Sequence, residues 1–210
     1  MRHHWFFDFD GTLCDTEADI KAAYRGALAD LSLDASRFDE LYSTGPTLAS
    51  VLALMYPESA GDPAFYARFM EAFKRHYDMG GFPSTRPYPG VEEWLRGLKS
   101  AGAVLYIATN KRMAPLKALV ARCGWEGMFA GMFAPDAAPG GPRTKKDNIA
   151  AAMAAHRISP DDGVMVGDTR GDVEAGRAAG LYTIGCTWGY GTREELQGAD
   201  EIYDAGRFQK

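Results

Sequence analysis

At residues 5–12 the chain reads WFFDFDGT: three bulky apolar side chains, an aspartate, a phenylalanine, a second aspartate, then Gly-Thr. A short run of consecutive apolar residues suits a buried strand of a parallel sheet, covered by helices on both faces. Runs of the same kind recur as AVLYIA at 103–108, GVMVG at 163–167 and YTIGC at 182–186, with helical patterns between them. The first three stop at polar clusters, DFDGT, TNK and DTRGD. This rhythm predicts an α/β fold with a Rossmann-like parallel sheet core. In open sheets of that kind the ligand crevice lies outside the carboxyl ends of the strands, so clusters distant in sequence are expected to converge.

Residues 16–84 break the rhythm. They offer only amphipathic stretches, near ADIKAAYRGALADL, TLASVLALMY and PAFYARFMEAFKRHY, and no strand pattern. A small all-helical cap is expected there, inserted into a core made of residues 1–15 and 85–210 and acting as a lid that selects substrate. The exit at 79–90, MGGFPSTRPYPG, carries too many glycines and prolines for a helix and reads as a hinge or linker.

A length of 210 residues accommodates one core domain with such an insertion. A hydrophobic fraction of 46% and a charged fraction of 24% are those of a soluble globular protein. The net charge of −5 supplies no basic field for nucleic acid or an anionic membrane surface. Cys14, Cys123 and Cys186 are odd in number, far apart and free of any CxxC spacing. Neither a disulfide framework nor a zinc cluster is expected, and a reducing cytoplasm fits best. The residues before Asp8 are too few for a signal-peptide core or a membrane span. A monomer or a homodimer is expected.

Asp8 and Asp10, two apart at the end of an extended segment, project to the same side, and Gly11 lets the backbone turn away. Carboxylates so close repel each other unless a divalent cation takes one and a proton sits on the other. That division would make a nucleophile and a general acid. An isolated Asp-x-Asp-Gly equally serves as a plain turn after a strand.

The neighbouring clusters weigh against the plain turn. The chain resembles the haloacid dehalogenase superfamily of phosphohydrolases over nearly its whole length: Asp8, Asp10, Gly11, Thr12 and Leu13 match a DxDGT(L/V) motif, Thr109 a strand-end Thr/Ser, and Gly167, Asp168 and Asp172 a GDxxxD motif. The resemblance implies that Asp8 attacks phosphorus to form an aspartyl-phosphate, while Asp10 protonates the leaving alkoxide and later deprotonates water. It implies Mg²⁺ as the cofactor, held by Asp8, Asp168 and the backbone carbonyl of Asp10, with Asp172 orienting a metal-bound water. Asp172 equally suits a cap for the helix that follows. Thr109 and Asn110 are expected at the phosphate, and Gly11, Thr12 and Gly45 complete the substrate-binding set.

The superfamily also has a lysine facing the phosphate. In GPRTKKDNIAAAM, Thr144 and Asp147 form a capping-box pattern that places Lys145 and Lys146 in a first helical turn. The helix dipole disfavours cations there, so a bound phosphate would explain their presence. Lys145 shares the face of Ile149 and is the expected catalytic lysine, whereas Lys146 points about 100° away.

Within the superfamily, Asp10 points to phosphate esters and against dehalogenation. Ile20 stands where sugar phosphomutases have a histidine, which leaves a mutase as the alternative, with a non-catalytic phosphate-binding or regulatory protein as a third reading. Gly45-Pro46-Thr47 resembles the cap loop of phosphoglycolate-phosphatase-like members, and the expected partner is a small phosphorylated metabolite. His3 and His4, adjacent in an expected strand, should face opposite ways, and His76 and His156 are expected to lie in helices without partners. Phe65, Tyr66, Phe69, Phe73 and Tyr77 recur at helical spacing and should pack within the insertion. The glycine-rich TWGYGTREEL segment carries no assigned chemistry.

Overall fold

The computed structural model describes residues 2–42, 47–137 and 143–205. In chain order, β1 (His4–Phe7) and β2 (Cys14–Asp15) precede four helices, α1 (Glu17–Asp30), α2 (Phe38–Leu41), α3 (Leu48–Met55) and α4 (Pro63–Met79). The chain continues through β3 (Arg86–Pro87), α5 (Val91–Ser100), β4 (Val104–Ala108), α6 (Met113–Arg122) and β5 (Gly131–Phe133). It ends with α7 (Lys145–His156), β6 (Gly163–Gly167), α8 (Arg170–Ala178), β7 (Tyr182–Cys186) and β8 (Glu201–Tyr203). Internal contacts divide it into two compact units, Met1–Asp15 with Arg86–Lys210, and Thr16–Thr85.

The first unit is built on a six-stranded sheet in the order β5-β4-β1-β6-β7-β8, parallel throughout. From β1 the chain builds outward through β4 to β5, then crosses back to lay β6 on the other side of β1. That reversal is the switch point of a doubly wound sheet, and it opens the crevice between the carboxyl ends of β1 and β6. The four apolar runs of the sequence coincide with β1, β4, β6 and β7. The edge strands β5 and β8 lie outside those runs. Each is three residues long and only partly buried, and takes its extended form from pairing with its neighbour.

Both faces of the sheet are covered, which explains why WFF is apolar without alternation. Phe6 stacks on Tyr106 with centroids 4.9 Å apart, in a cluster with Ile149 and Ala152 of α7 and Ala175 of α8. Phe7 points to the opposite face, where it meets Trp94 of α5 edge-on at 5.4 Å. Both phenylalanines are 0% exposed, so each contributes about 2–3 kcal/mol of apolar burial. Beyond β1, Leu13 N and Cys14 N both donate to Phe9 O, and Gly11, with φ +80°, donates its N–H to Cys14 O at 2.9 Å. This tight loop feeds β2, which pairs antiparallel with β3 through Asp15 and Arg86. The 79–90 stretch therefore ends in a short strand pair, although its glycines and prolines announce only a linker.

The second unit is helical among its described residues. Tyr24 is its centre, with rings of Phe38, Tyr42, Phe69 and Phe73 at centroid distances of 5.1–5.9 Å. Phe65, Phe69 and Tyr77 are buried, Phe73 is partly buried and Tyr66 is exposed. Asp62 caps α4 by accepting from Ala64 N, with Pro63 in the first helical position, where a missing N–H costs nothing. Asp19 of α1 accepts from Thr85 N at 2.7 Å and Thr85 Oγ1 at 2.6 Å, tying the start of the unit to its end.

The histidines depart from expectation. His76 does have a partner, since its Nε2 lies 2.9 Å from Asp30 Oδ2 and joins α4 to α1. His156 lies against the Tyr106 ring at 4.9 Å. His3 and His4 both approach Asp162, at 2.8 and 3.9 Å, because the strand begins only at His4 and His3 is free of its alternation.

Candidate active site

Asp8 is the first residue past β1, and its N–H continues the ladder by donating to Val166 O at 3.0 Å. Asp168 is the first past β6. Because Phe7 pairs with Val166 across the two strands, the aspartates leave the sheet side by side at the switch point. Asp172 joins them from the first turn of α8. Each of the three offers a carboxylate oxygen within 4.8 Å of the others, and all three are buried.

Lys145 lies in their midst. It occupies the first position of α7 on the same face as Asn148, Ile149 and Ala152, all buried, so the stripe that packs the helix on the sheet also carries its ammonium inward. Its Nζ is 2.7 Å from Asp8 Oδ2 and also donates to Asp172 Oδ1. Lys146 is exposed. The capping box of Thr144 and Asp147 is present as the sequence implies.

Asp172 does two jobs. Its Oδ2 accepts from Thr169 N at 3.0 Å and Thr169 Oγ1 at 2.6 Å, capping α8, while its Oδ1 serves Lys145. The cap and the site role, alternatives in the sequence, coexist on one carboxylate.

The electrostatics show three buried acids, two of which, Asp8 and Asp172, share one cation. Burial pushes the Asp8 carboxyl up to about 6, with Lys145 pulling it down and Asp172 adding to the rise. Burial, then Asp172 and Asp8, push Asp168 up to about 8, against donors from Tyr190 N and Thr12. For Lys145 burial opposes the ammonium, but Asp172 and Asp8 more than offset it and hold it above the ordinary lysine range. A cluster of hard oxygen donors with this surplus of negative charge fits a divalent cation of the Mg²⁺ class. Only glycine fits where the loop meets this cluster, since a Cβ on Gly11 would fall 2.1 Å from Asp168 Oδ2.

The remaining expected residues divide. Thr109, 1% exposed at the end of β4, donates its hydroxyl to Asp8 and accepts from Lys111 N at 3.1 Å. Asn110, next to it, is exposed. Thr12, expected among the substrate contacts, is 0% exposed and donates its hydroxyl to Asp168 Oδ1 at 2.7 Å. The Asp10 carboxylate stands apart from the three-acid cluster and pairs with Lys111 Nζ at 2.7 Å. Gly45 lies outside the described residues.

Two features escape the sequence reading. Lys111, to which the TNK cluster gave no role, is buried, its side chain 3% exposed. The TWGYG loop, left without chemistry, packs on the site: Tyr190 N donates to Asp168 Oδ2 at 2.8 Å, and Trp188 Nε1 donates to Thr12 O at 3.0 Å. Its glycines are the available signal, because a side chain at Gly189 would fall 2.3 Å from both Gly11 O and Asp168 Cβ.

Comparison with known proteins places the chain in a family. The model of a family described as haloacid dehalogenase-like hydrolase matches residues 5–186. A phosphoglycolate phosphatase of Neisseria meningitidis is 33% identical over 193 residues, covering 88% of this chain and 80% of the relative. One from Aquifex aeolicus is 30% identical over 187 residues, covering 88% and 84%. Among solved structures, a predicted phosphatase from Clostridium acetobutylicum superposes with a TM-score of 0.84 at 28% identity, over 97% of this chain and 94% of that one. Among the described residues no helix is long and apolar enough to cross a membrane.

Proposed function

The chain belongs to the haloacid dehalogenase-like hydrolases, and from that premise we propose that it is a Mg²⁺-dependent phosphatase that hydrolyses a small phosphate monoester through an aspartyl-phosphate, in the manner of a phosphoglycolate phosphatase. One observation carries the reading: Asp8, Asp168 and Asp172 present carboxylate oxygens within 4.8 Å of one another, and Lys145 bridges the first and third.

In this reading an Asp8 carboxylate oxygen attacks phosphorus while the bond from phosphorus to the ester oxygen breaks. Asp10 supplies the proton that the departing alkoxide takes up. In the second half, water attacks phosphorus, Asp10 receives its proton, and phosphate leaves with Asp8 restored. Lys145 sets the Asp8 carboxylate and offsets charge on the phosphoryl oxygens. Thr109 fixes Asp8 from the other side by its hydroxyl, and Asn110 contacts the phosphate. Thr12 acts through Asp168 and not on the substrate.

Asp8, Asp168 and the Asp10 carbonyl would hold the metal. Asp172 would act through water, since both its oxygens already serve Thr169 and Lys145. The cation, when bound, supplies the positive charge that lets an anionic nucleophile approach an anionic ester. Selection among small phosphate esters is assigned to the helical unit.

With 4-nitrophenyl phosphate and Mg²⁺ the wild type is expected to turn over, and both Asp8→Asn and chelation of the metal to abolish turnover in a folded protein. Activity retained by Asp8→Asn would overturn the proposal.

A further inference from the structure

Two lysines are buried among the described residues, Lys145 and Lys111, and the mechanism above uses only the first. Lys111 crosses the Phe9 ring with Nζ 5.7 Å from its centroid and ends 2.7 Å from Asp10 Oδ1. Its own N–H donates to Thr109 Oγ1 at 3.1 Å, so its backbone is fixed to the end of β4. Phe9, 0% exposed between the two aspartates, supports the stem from below. Burying an ammonium is costly unless a partner repays it, and here that partner is the carboxylate assigned to proton transfer.

We propose that Lys111 is a positioning residue: its ammonium holds the Asp10 carboxylate in the orientation from which Asp10 exchanges a proton with the ester oxygen. The inference rests on the phosphatase reading. Proton transfer demands an approach of about 2.6–3.2 Å between heavy atoms, and an aspartate on a loop reaches that only if its rotamer is held. A lysine whose side chain is 3% exposed presents little surface to a ligand, which favours action through Asp10 over direct substrate contact.

The leaving group separates these roles. Nitrophenolate departs with little help from a proton, whereas an alkoxide requires one. Wild type, Lys111→Met and Lys111→Arg are compared by rapid quench, following first-turnover alcohol release from 4-nitrophenyl phosphate and from 2-phosphoglycolate or glycerol 3-phosphate, whichever the wild type cleaves faster. Lys111→Gln replaces the Met variant if that one fails to fold.

Lys111→Met is expected to slow alkyl-ester cleavage at least about tenfold more than aryl-ester cleavage, with each KM changed less than about threefold. Lys111→Arg is expected to recover most of the loss, and the effect of Lys111→Met to vanish in an Asp10→Asn background. Equal slowing of both esters, a raised KM at unchanged first-turnover rate, or a loss that persists with Asp10→Asn would overturn the proposal. A wild type that cleaves neither ester would instead overturn the phosphatase reading.

Discussion

The Thr12 hydroxyl donates to Asp168 Oδ1 at 2.7 Å, so the loop that follows β1 grips the acid that ends β6. Both groups are 0% exposed, and water cannot replace the bond. Thr12→Val keeps the shape and removes the donor, leaving Asp168 with the Tyr190 N–H as its remaining described donor on the other oxygen. In the proposed reading Asp168 is a metal ligand, and loss of an outer contact that orients such a ligand typically costs about 10–100-fold in affinity. Isothermal titration of the Thr12→Val protein with Mg²⁺ should show a dissociation constant raised at least about tenfold. Unchanged affinity would mean that the Tyr190 amide alone orients Asp168.

Acid sensitivity follows from the far edge of the sheet. Thr183 in β7 donates both its N–H and its hydroxyl to Asp200 Oδ2, each at 2.8 Å, just before β8 begins. The Thr183 N–H bond is the main cause that holds the Asp200 carboxyl below its ordinary value. A depressed carboxyl stabilises the fold above the unfolded pKa of about 3.9, and that stabilisation fades as pH falls through the folded value. Asp200 is exposed, so solvent screening limits the effect to about 1 kcal/mol or less. Denaturation of wild type and Asp200→Asn should therefore give a gap at pH 7 that closes below about pH 4. A gap independent of pH would show that the carboxylate charge is irrelevant.

What could be read from the residues alone follows a physical division. β1 and β6 were legible because each is buried on both faces and so is apolar without interruption, and Asp8 and Asp168 were legible because they end those strands. Lys145 was legible from its place on the stripe with Ile149. Lys111 was not: its burial depends on Phe9 and Asp10 arriving from β1, which no local pattern encodes. Tyr190 was hidden for another reason, since it contributes a backbone N–H that any residue would supply. β5 and β8 are too short to carry a period of their own.

In the helical unit, Asp19 supplies a test independent of the chemistry. It is 8% exposed and accepts from Thr85 N, Thr85 Oγ1 and Ser84 N, the last at 3.1 Å. Asp19→Ala takes away a charged acceptor and leaves the two buried Thr85 donors without it, a loss of about 2–4 kcal/mol. Hydrogen exchange should show the Thr85 amide losing its protection in this variant, with the amides of β1 and β6 little changed. Equal loss in both places would show that the two units unfold as one.

The last test concerns Gly189, whose absent side chain is what admits Asp168. A Cβ there would fall 2.3 Å from Gly11 O and 2.3 Å from Asp168 Cβ, far inside contact distance. Gly11 cannot retreat easily, because its N–H is held by Cys14 O in the tight loop after β1, and Asp168 is fixed by Thr12. Gly189→Ala must therefore displace the Trp188–Tyr190 segment, and with it the Tyr190 N–H that orients Asp168. Overpacking of this kind costs about 1–3 kcal/mol. Activity should fall more steeply than stability, with the Mg²⁺ concentration for half-maximal turnover raised, since the displaced group is a donor to the acid that the proposed reading makes a metal ligand. Gly97→Ala provides the control: nothing lies within 4 Å of its Cβ position in α5, so that variant should match the wild type in activity and gain slightly in helix stability. A Gly189→Ala protein with wild-type Mg²⁺ dependence would show that the loop closes over the site without orienting it.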